Sequence, residues 1–188
     1  IRRQIVAVPL LTEWGPEKLS LDRNSVVLML GGARGIAAQV ANKLAEQYGC
    51  RFEIVGRTPM VGPEDAATLA IPDFQGLRDH FIRSRIFKKP AEIEAECRRI
   101  LNDREMRETF EKLKALGCRT RYHCFDVRNK AKLVGLIDEL YAHGRIDGVI
   151  HAAGVLRDSL ILEKTAESFK LVFETKVNPA EVLEAKLQ

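Results

Sequence analysis

No apolar run in the sequence reaches the ~18 residues that a membrane-spanning helix needs, so no membrane partner is expected. Cysteine is sparse. Cys50, Cys97, Cys118 and Cys124 form no C-x-x-C pair, which excludes a zinc ribbon and a dithiol redox motif. His123 stands beside Cys124, but nothing nearby completes a ligand set, so free thiols in a reducing cytoplasm are expected. A strong charge bias is also missing. The net charge is +4, and the cations are scattered among acids with no nucleic-acid recognition motif. That balance speaks against a nucleic-acid partner and leaves small anionic ligands, phosphates above all. The N-terminus, Ile1-Arg2-Arg3-Gln4, has neither an initiating Met nor the apolar core of a signal peptide. The last helical pattern is still running at Gln188, so the expectation is a piece of a longer protein. Internal repeats and low-complexity tracts are absent.

What is present suits a globular chain. Apolar residues make up 46% of the 188 and charged residues 30%, enough for a core in one domain with an appendage. Residues 1–24 read as a short alternating strand, Ile5 to Leu10, followed by a connector. At residue 25 the character changes. Ser25 to Leu30 is a continuous apolar run, as in a strand buried on both faces of a parallel sheet. A glycine turn follows, then a helix from Ile36 to Tyr48 ended by Gly49, then a strand from Phe52 to Gly56.

Residues 59–117 interrupt this alternation and read as a helical insertion. Pro59, Gly62, Pro63 and Pro72 mark a loop. Leu77, Phe81, Ile82 and Ile86 suggest a short helix. Pro90 suits the first turn of a longer helix that ends at Gly117, with a kink or division near Asn102. The charges on its outer face, including Glu92, Arg99, Arg104 and Glu105, read as a solvated surface. The alternation then resumes with a strand (119–125), a helix (130–143), a strand (146–151) and a mostly helical stretch (160–187). The fold class is therefore α/β: a Rossmann-type parallel sheet with helices on both faces.

Several positions point to chemistry. Gly31-Gly32-Ala33-Arg34-Gly35-Ile36-Ala37 follows a strand and opens a helix. In that context free backbone N–H groups and the helix dipole face a pyrophosphate, and glycines let it approach. About 20 residues on, an NAD enzyme places an acid for the ribose hydroxyls, whereas an NADP enzyme places a cation. Here Gly56-Arg57-Thr58 supplies a cation and no acid, and Arg34 can close on the same 2′-phosphate. Asp126-Val127 ends the next strand, where the carboxylate can either meet the adenine amino group or cap the helix near Asn129. Ala152-Ala153-Gly154, after His151, provides small residues at a strand end where a flat ligand can lie. His151 reads as structural. Lys176, on the last helix, reads from its spacing alone as a solvated lysine.

As an ordered set these motifs resemble a short-chain dehydrogenase, and more closely the ketoreductase domains of polyketide and polyunsaturated-fatty-acid synthases, over about residues 25–188. The His151-Ala152-Ala153-Gly154-Val155 form and the Lys176-Val177 pair carry the closer likeness. The resemblance implies NADPH-dependent reduction of a 3-ketoacyl thioester held on an acyl carrier protein, with neighbouring synthase domains as further partners. It assigns Lys176 to the family's active site beside a Ser, a Tyr and an Asn. Three departures stand out. Leu30 replaces the usual Thr and Ala37 the usual last Gly. The Leu-Asp-Asp stereochemical signature reads Leu156-Arg157-Asp158, which leaves product stereochemistry open. Tyr48, Tyr122 and Tyr141 are the only tyrosines, and none has Asn or Lys four residues later. The catalytic Ser and Tyr are expected beyond Gln188, and the chain alone is expected to be inactive. The competing reading is a non-catalytic, reductase-like structural or cofactor-binding module; a sugar epimerase is disfavoured by the glycine spacing.

Overall fold

A computed structural model describes residues 20–60 and 62–187. The strand expected near the N-terminus lies outside them. Among the described residues, strands β1 (Val26–Leu30), β2 (Arg51–Gly56), β3 (Thr120–Cys124) and β4 (Gly148–His151) form one parallel sheet in the order β3-β2-β1-β4. Central β1 pairs with β2 from Val26↔Arg51 to Leu30↔Val55, and with β4 from Val27↔Gly148 to Leu30↔His151. The chain leaves β1 toward β2 on one side, and returns from β3 to β4 on the other. The strand order therefore reverses between β1 and β4, the place where open α/β sheets form a ligand crevice.

Side-chain alternation explains the layers. Val27, Met29, Phe52 and Ile54 pack with α1 (Gly35–Tyr48) and with Met106 and Leu113 of α4 (Pro90–Ala115). Leu28, Leu30 and Val55 face the opposite way, against Leu133, Leu136 and Ile137 of α5 (Lys130–Ala142) and Val182 and Leu183 of α6 (Ala166–Lys186). Both faces of the sheet are covered, as the continuous apolar run of β1 requires. Each fully buried Leu or Ile here contributes about 1.5–3 kcal/mol of transfer free energy.

The segment 59–117 divides by packing rather than by backbone. A short helix, α2 (Ala66–Leu69), precedes α3 (Phe74–Ser84). Leu77 and Phe81 of α3 form a separate cluster with Ile93, Cys97 and Ile100 of α4. Ile82, within α3 but off its Leu77–Phe81 face, is exposed, and so is Ile86, which follows the left-handed turn at Arg85 (φ 53) that ends the helix. Helix α4 runs unbroken through Asn102. What changes near that residue is its partner: the first half packs on α3, and the second half joins the sheet core as the crossover between β2 and β3.

The expected solvated face of α4 is also only partly so. Arg104 turns inward, donating from Nε and Nη2 to the Glu64 carboxylate (2.9 and 2.6 Å) and from its Nη atoms to the carbonyls of Ile71 (2.6 Å) and Thr68 (2.8 Å). Its charge is matched inside the protein, which ties the 62–72 segment to α4. Helical structure before α6 is limited to a single 3-10 turn, Ile161–Glu163. On α6 the rings of Phe169 and Phe173 stack on each other, 5.7 Å between centroids, and remain half exposed rather than entering the core.

Candidate functional site

A cleft of about 270 Å³ opens at the carboxyl ends of β1, β2 and β4. Gly31, Gly32, Ala33, Arg34, Gly56, Arg57, Val127, Ala152, Ala153 and Gly154 line it, so ten of the fourteen site residues expected from sequence converge on one cleft. The other four lie at its margins or behind them. Gly35 and Ile36 form the exposed first turn of α1, Asp126 precedes Val127, and Lys176 sits on α6. Val55, Thr58, Met106, Tyr122 and Thr175 also line the cleft, although sequence reasoning does not single them out as site residues. Thr58 is signalled by following Arg57 directly. Met106 and Thr175 carry no such signal, since only the packing of α4 and α6 brings them there.

The glycine turn is shaped by two constraints. Gly31 has φ +76, and a Cβ there would stand 2.9 Å from the Ala153 backbone nitrogen and 3.0 Å from its Cα. Only glycine fits both the backbone and the neighbour. Its N–H donates to the Val55 carbonyl (2.8 Å), so the entry to the turn is held by backbone alone. Leu30, where the resembling domains carry Thr, is fully buried in the core facing α5, and the absent hydroxyl leaves no visible defect in this pairing. Gly35 starts α1 at φ +64, and no heavy atom lies within 4 Å of where its Cβ would be. The space beside the Gly35 Cα is open.

Cations flank this space. Arg34 and Arg57 line the cleft and carry no ion pair among the described residues. Tyr122 closes the side near Arg57, donating its hydroxyl hydrogen to the Thr58 carbonyl (2.6 Å) and meeting Phe110 edge-to-face at 5.6 Å. Burial raises the Tyr122 phenol above its ordinary value, so it stays protonated and keeps that donor role.

The two alternatives for Asp126 separate here. Asn129 caps α5 with its own side chain, accepting from the Lys132 N–H (3.1 Å). Asp126 instead accepts from the Arg128 backbone N–H (2.9 Å) and from its guanidinium (2.8–3.1 Å). The Arg128 hydrogen bonds hold its carboxyl below the ordinary carboxylate value, with Arg57 contributing at longer range.

At the other end of the cleft, α6 meets β4. His151 Nε2 bonds the Lys176 carbonyl oxygen (3.0 Å), which makes Nε2 the protonated nitrogen. His151 Nδ1 is buried without a partner among the described residues. The Lys176 side chain passes over Gly154: a Cβ at 154 would lie 3.4 Å from its Cε and 3.7 Å from its Nζ. The helix that carries Lys176 is thereby tied to the strand end that lines the cleft. His123, the neighbour of Cys124, pairs with Glu53 at 2.7 Å, and no group of three or more potential metal ligands occurs among the described residues.

Known proteins share this fold. The KR-domain family model matches residues 25–188. The chain belongs to the KR-domain family. A subunit of the polyunsaturated fatty acid synthase from Thraustochytrium sp. (strain ATCC 26185 / S-3) is 30% identical over 177 residues, spanning 88% of this chain and 6% of that protein. An N-terminal ketoreductase from the macrolactin assembly line shares the fold, with TM-score 0.62 and 23% identity over 89% of this chain and 26% of that one. A short-chain dehydrogenase from Mycobacterium paratuberculosis, solved bound to NAD, superposes with TM-score 0.55 at 19% identity, over 89% of this chain and 51% of that one. The ketoreductase-type Rossmann fold expected from the sequence is thus present, and the chain spans a small share of the synthase that it matches. No helix among the described residues is long and apolar enough to cross a membrane.

Proposed function

We propose that this KR-domain chain forms the NADPH-binding part of a ketoreductase that reduces a 3-ketoacyl thioester carried on an acyl carrier protein, within a multidomain synthase. The observation that carries the reading is the pair of guanidiniums, Arg34 and Arg57, without ion-pair partners among the described residues, in a cleft whose glycine turn opens a helix and whose β2 end has no acid. That donor set suits a 2′-phosphate and is wrong for the free ribose diol of NAD. Gly32, Ala33, Gly35 and Ile36 would receive the pyrophosphate on backbone N–H groups, and Gly31 would let it approach the turn closely. Asp126 and Val127, beyond Gly56, would border the adenine. Ala152, Ala153 and Gly154 leave room for a flat ring along β4.

When bound, the nicotinamide supplies the hydride. The chain's own residues bind and orient. Lys176 places a positive charge over Gly154, where it lowers the pKa of a neighbouring hydroxyl and favours proton donation to the substrate oxygen. In this reading the hydroxyls belong to a Ser and a Tyr, as in the domains that the sequence resembles.

The test is NADPH oxidation by the intact protein with a 3-ketoacyl thioester. Formation of the 3-hydroxyacyl thioester is expected from the intact protein and not from the 188-residue chain. Absence of turnover by a verified, folded, full-length protein would sink the reading.

A further inference from the structure

Glu105 has no part in the chemistry proposed above, and it bonds the first residue of α1 at the margin of the cleft. Its Oε1 accepts a hydrogen bond from the Gly35 N–H at 2.7 Å, across 70 residues of sequence. Gly35 is the first residue of α1. Arg34 at the N-cap supplies no side-chain cap, and the first turn of α1 contains no acid. The Glu105 carboxylate is therefore the anion that this helix end holds among the described residues. Its backbone is fixed: the Glu105 carbonyl accepts from the Thr109 hydroxyl (2.9 Å), and the next residue, Met106, is buried and lines the same cleft.

We propose that Glu105 is an internal competitor for the phosphates of the dinucleotide, a carboxylate that keeps the glycine turn ordered and sets cofactor affinity by its charge. The inference rests on reading the cleft as a dinucleotide site. A helix N-terminus presents roughly half a positive charge and a few free N–H groups. A pyrophosphate arriving there meets a helix end already partly neutralised, and it either takes the Gly35 N–H from Glu105 or sits beside a like charge. The turn gains order in the absence of ligand, and binding is weakened. Because the contact is exposed, the electrostatic part is screened by salt.

Glu105→Gln separates the two effects, since the amide oxygen can still accept from Gly35 while the charge is gone. In the intact protein this variant is expected to bind NADPH roughly two- to five-fold more tightly than wild type at low salt. Inorganic pyrophosphate should tighten by a similar factor and adenosine should be unaffected, with the gain shrinking toward 1 M salt. Glu105→Ala, which loses the acceptor as well, should bind NADPH less tightly than Glu105→Gln. Equal or weaker binding of both NADPH and pyrophosphate by Glu105→Gln would overturn the proposal. The two readings fail separately. NADPH bound equally by wild type and variant removes the competition and keeps the dinucleotide site. Pyrophosphate bound more tightly by the variant, with NADPH bound by neither form, removes the dinucleotide site and keeps the competition.

Discussion

His151 Nε2 and the Lys176 carbonyl oxygen are 3.0 Å apart, and this bond ties the last strand to the helix that carries the lysine. In the proposed function this bond makes His151 a positioning residue for Lys176. His151→Gln keeps a donor near the same place, whereas His151→Phe keeps the bulk and loses the donor. In the intact protein, His151→Phe is expected to lower kcat severalfold while leaving the KM for NADPH within about twofold, and His151→Gln should recover most of the loss; a lost neutral hydrogen bond of about 1 kcal/mol sets that scale. An equal fall in both variants would show that the bond does not position the lysine.

Lys176 reaches over Gly154, and in the proposed function its charge acts on a catalytic hydroxyl. Lys176→Ala is expected to reduce kcat by about 100-fold or more with little change in NADPH affinity, as removal of a group assisting proton transfer would do. Gly154→Val should act in the same direction by displacing the lysine stem, since even a Cβ at 154 stands 3.4 Å from Cε. Steady-state kinetics with parallel binding titrations would check both.

At the glycine turn, Gly31→Ala places a Cβ against the Ala153 backbone at a residue with φ +76. The expected cost is about 1–3 kcal/mol of stability, together with loss of cofactor binding as β1 and β4 part. Thermal unfolding monitored by circular dichroism would show a lower Tm. An unchanged Tm would mean that the turn has slack which the structure does not show.

Glu64 and Arg104 carry a pH dependence. The Arg104 hydrogen bonds hold the Glu64 carboxyl below its ordinary value near 4.5, against the opposing effect of burial. A carboxyl depressed in the folded state contributes stability that is fully present above the unfolded value and lost as pH falls through the folded one. Stability should therefore decline below about pH 4.5, and Arg104→Met should flatten that decline. The same variant should lose about 2–3 kcal/mol at neutral pH, less than a fully buried pair because Arg104 keeps 22% of its side chain in water. Urea unfolding at several pH values would measure both effects.

The α/β alternation and most of the cleft were legible because they depend on local periodicity. The apolar run of Val26–Leu30, the glycine turn and the alternation after residue 117 each announce themselves within a few residues. The contacts that were not legible join distant segments. Glu105 meets Gly35 across 70 residues and Arg104 meets Glu64 across 40, and a charge on a helix gives no sign of turning inward until its partner is placed. Asp126 shows the intermediate case. Its two possible roles were readable, but the Asn129 cap on α5 and the pairing of the Asp126 carboxylate with Arg128 were not. Phe169 and Phe173 stand about one helical turn apart on α6, a spacing that does not show whether their face is covered, and they lie half exposed.

The proposed function turns on Arg57, with Arg34, receiving a 2′-phosphate. The most direct measurement is the dissociation constant of NADPH and of NADH for the intact wild-type protein and for Arg57→Ala. Wild type is expected to prefer NADPH. The variant is expected to lose about 10- to 100-fold in NADPH affinity while NADH changes little, the scale of one charge-assisted guanidinium–phosphate contact. Equal losses for both cofactors would contradict the phosphate-binding role.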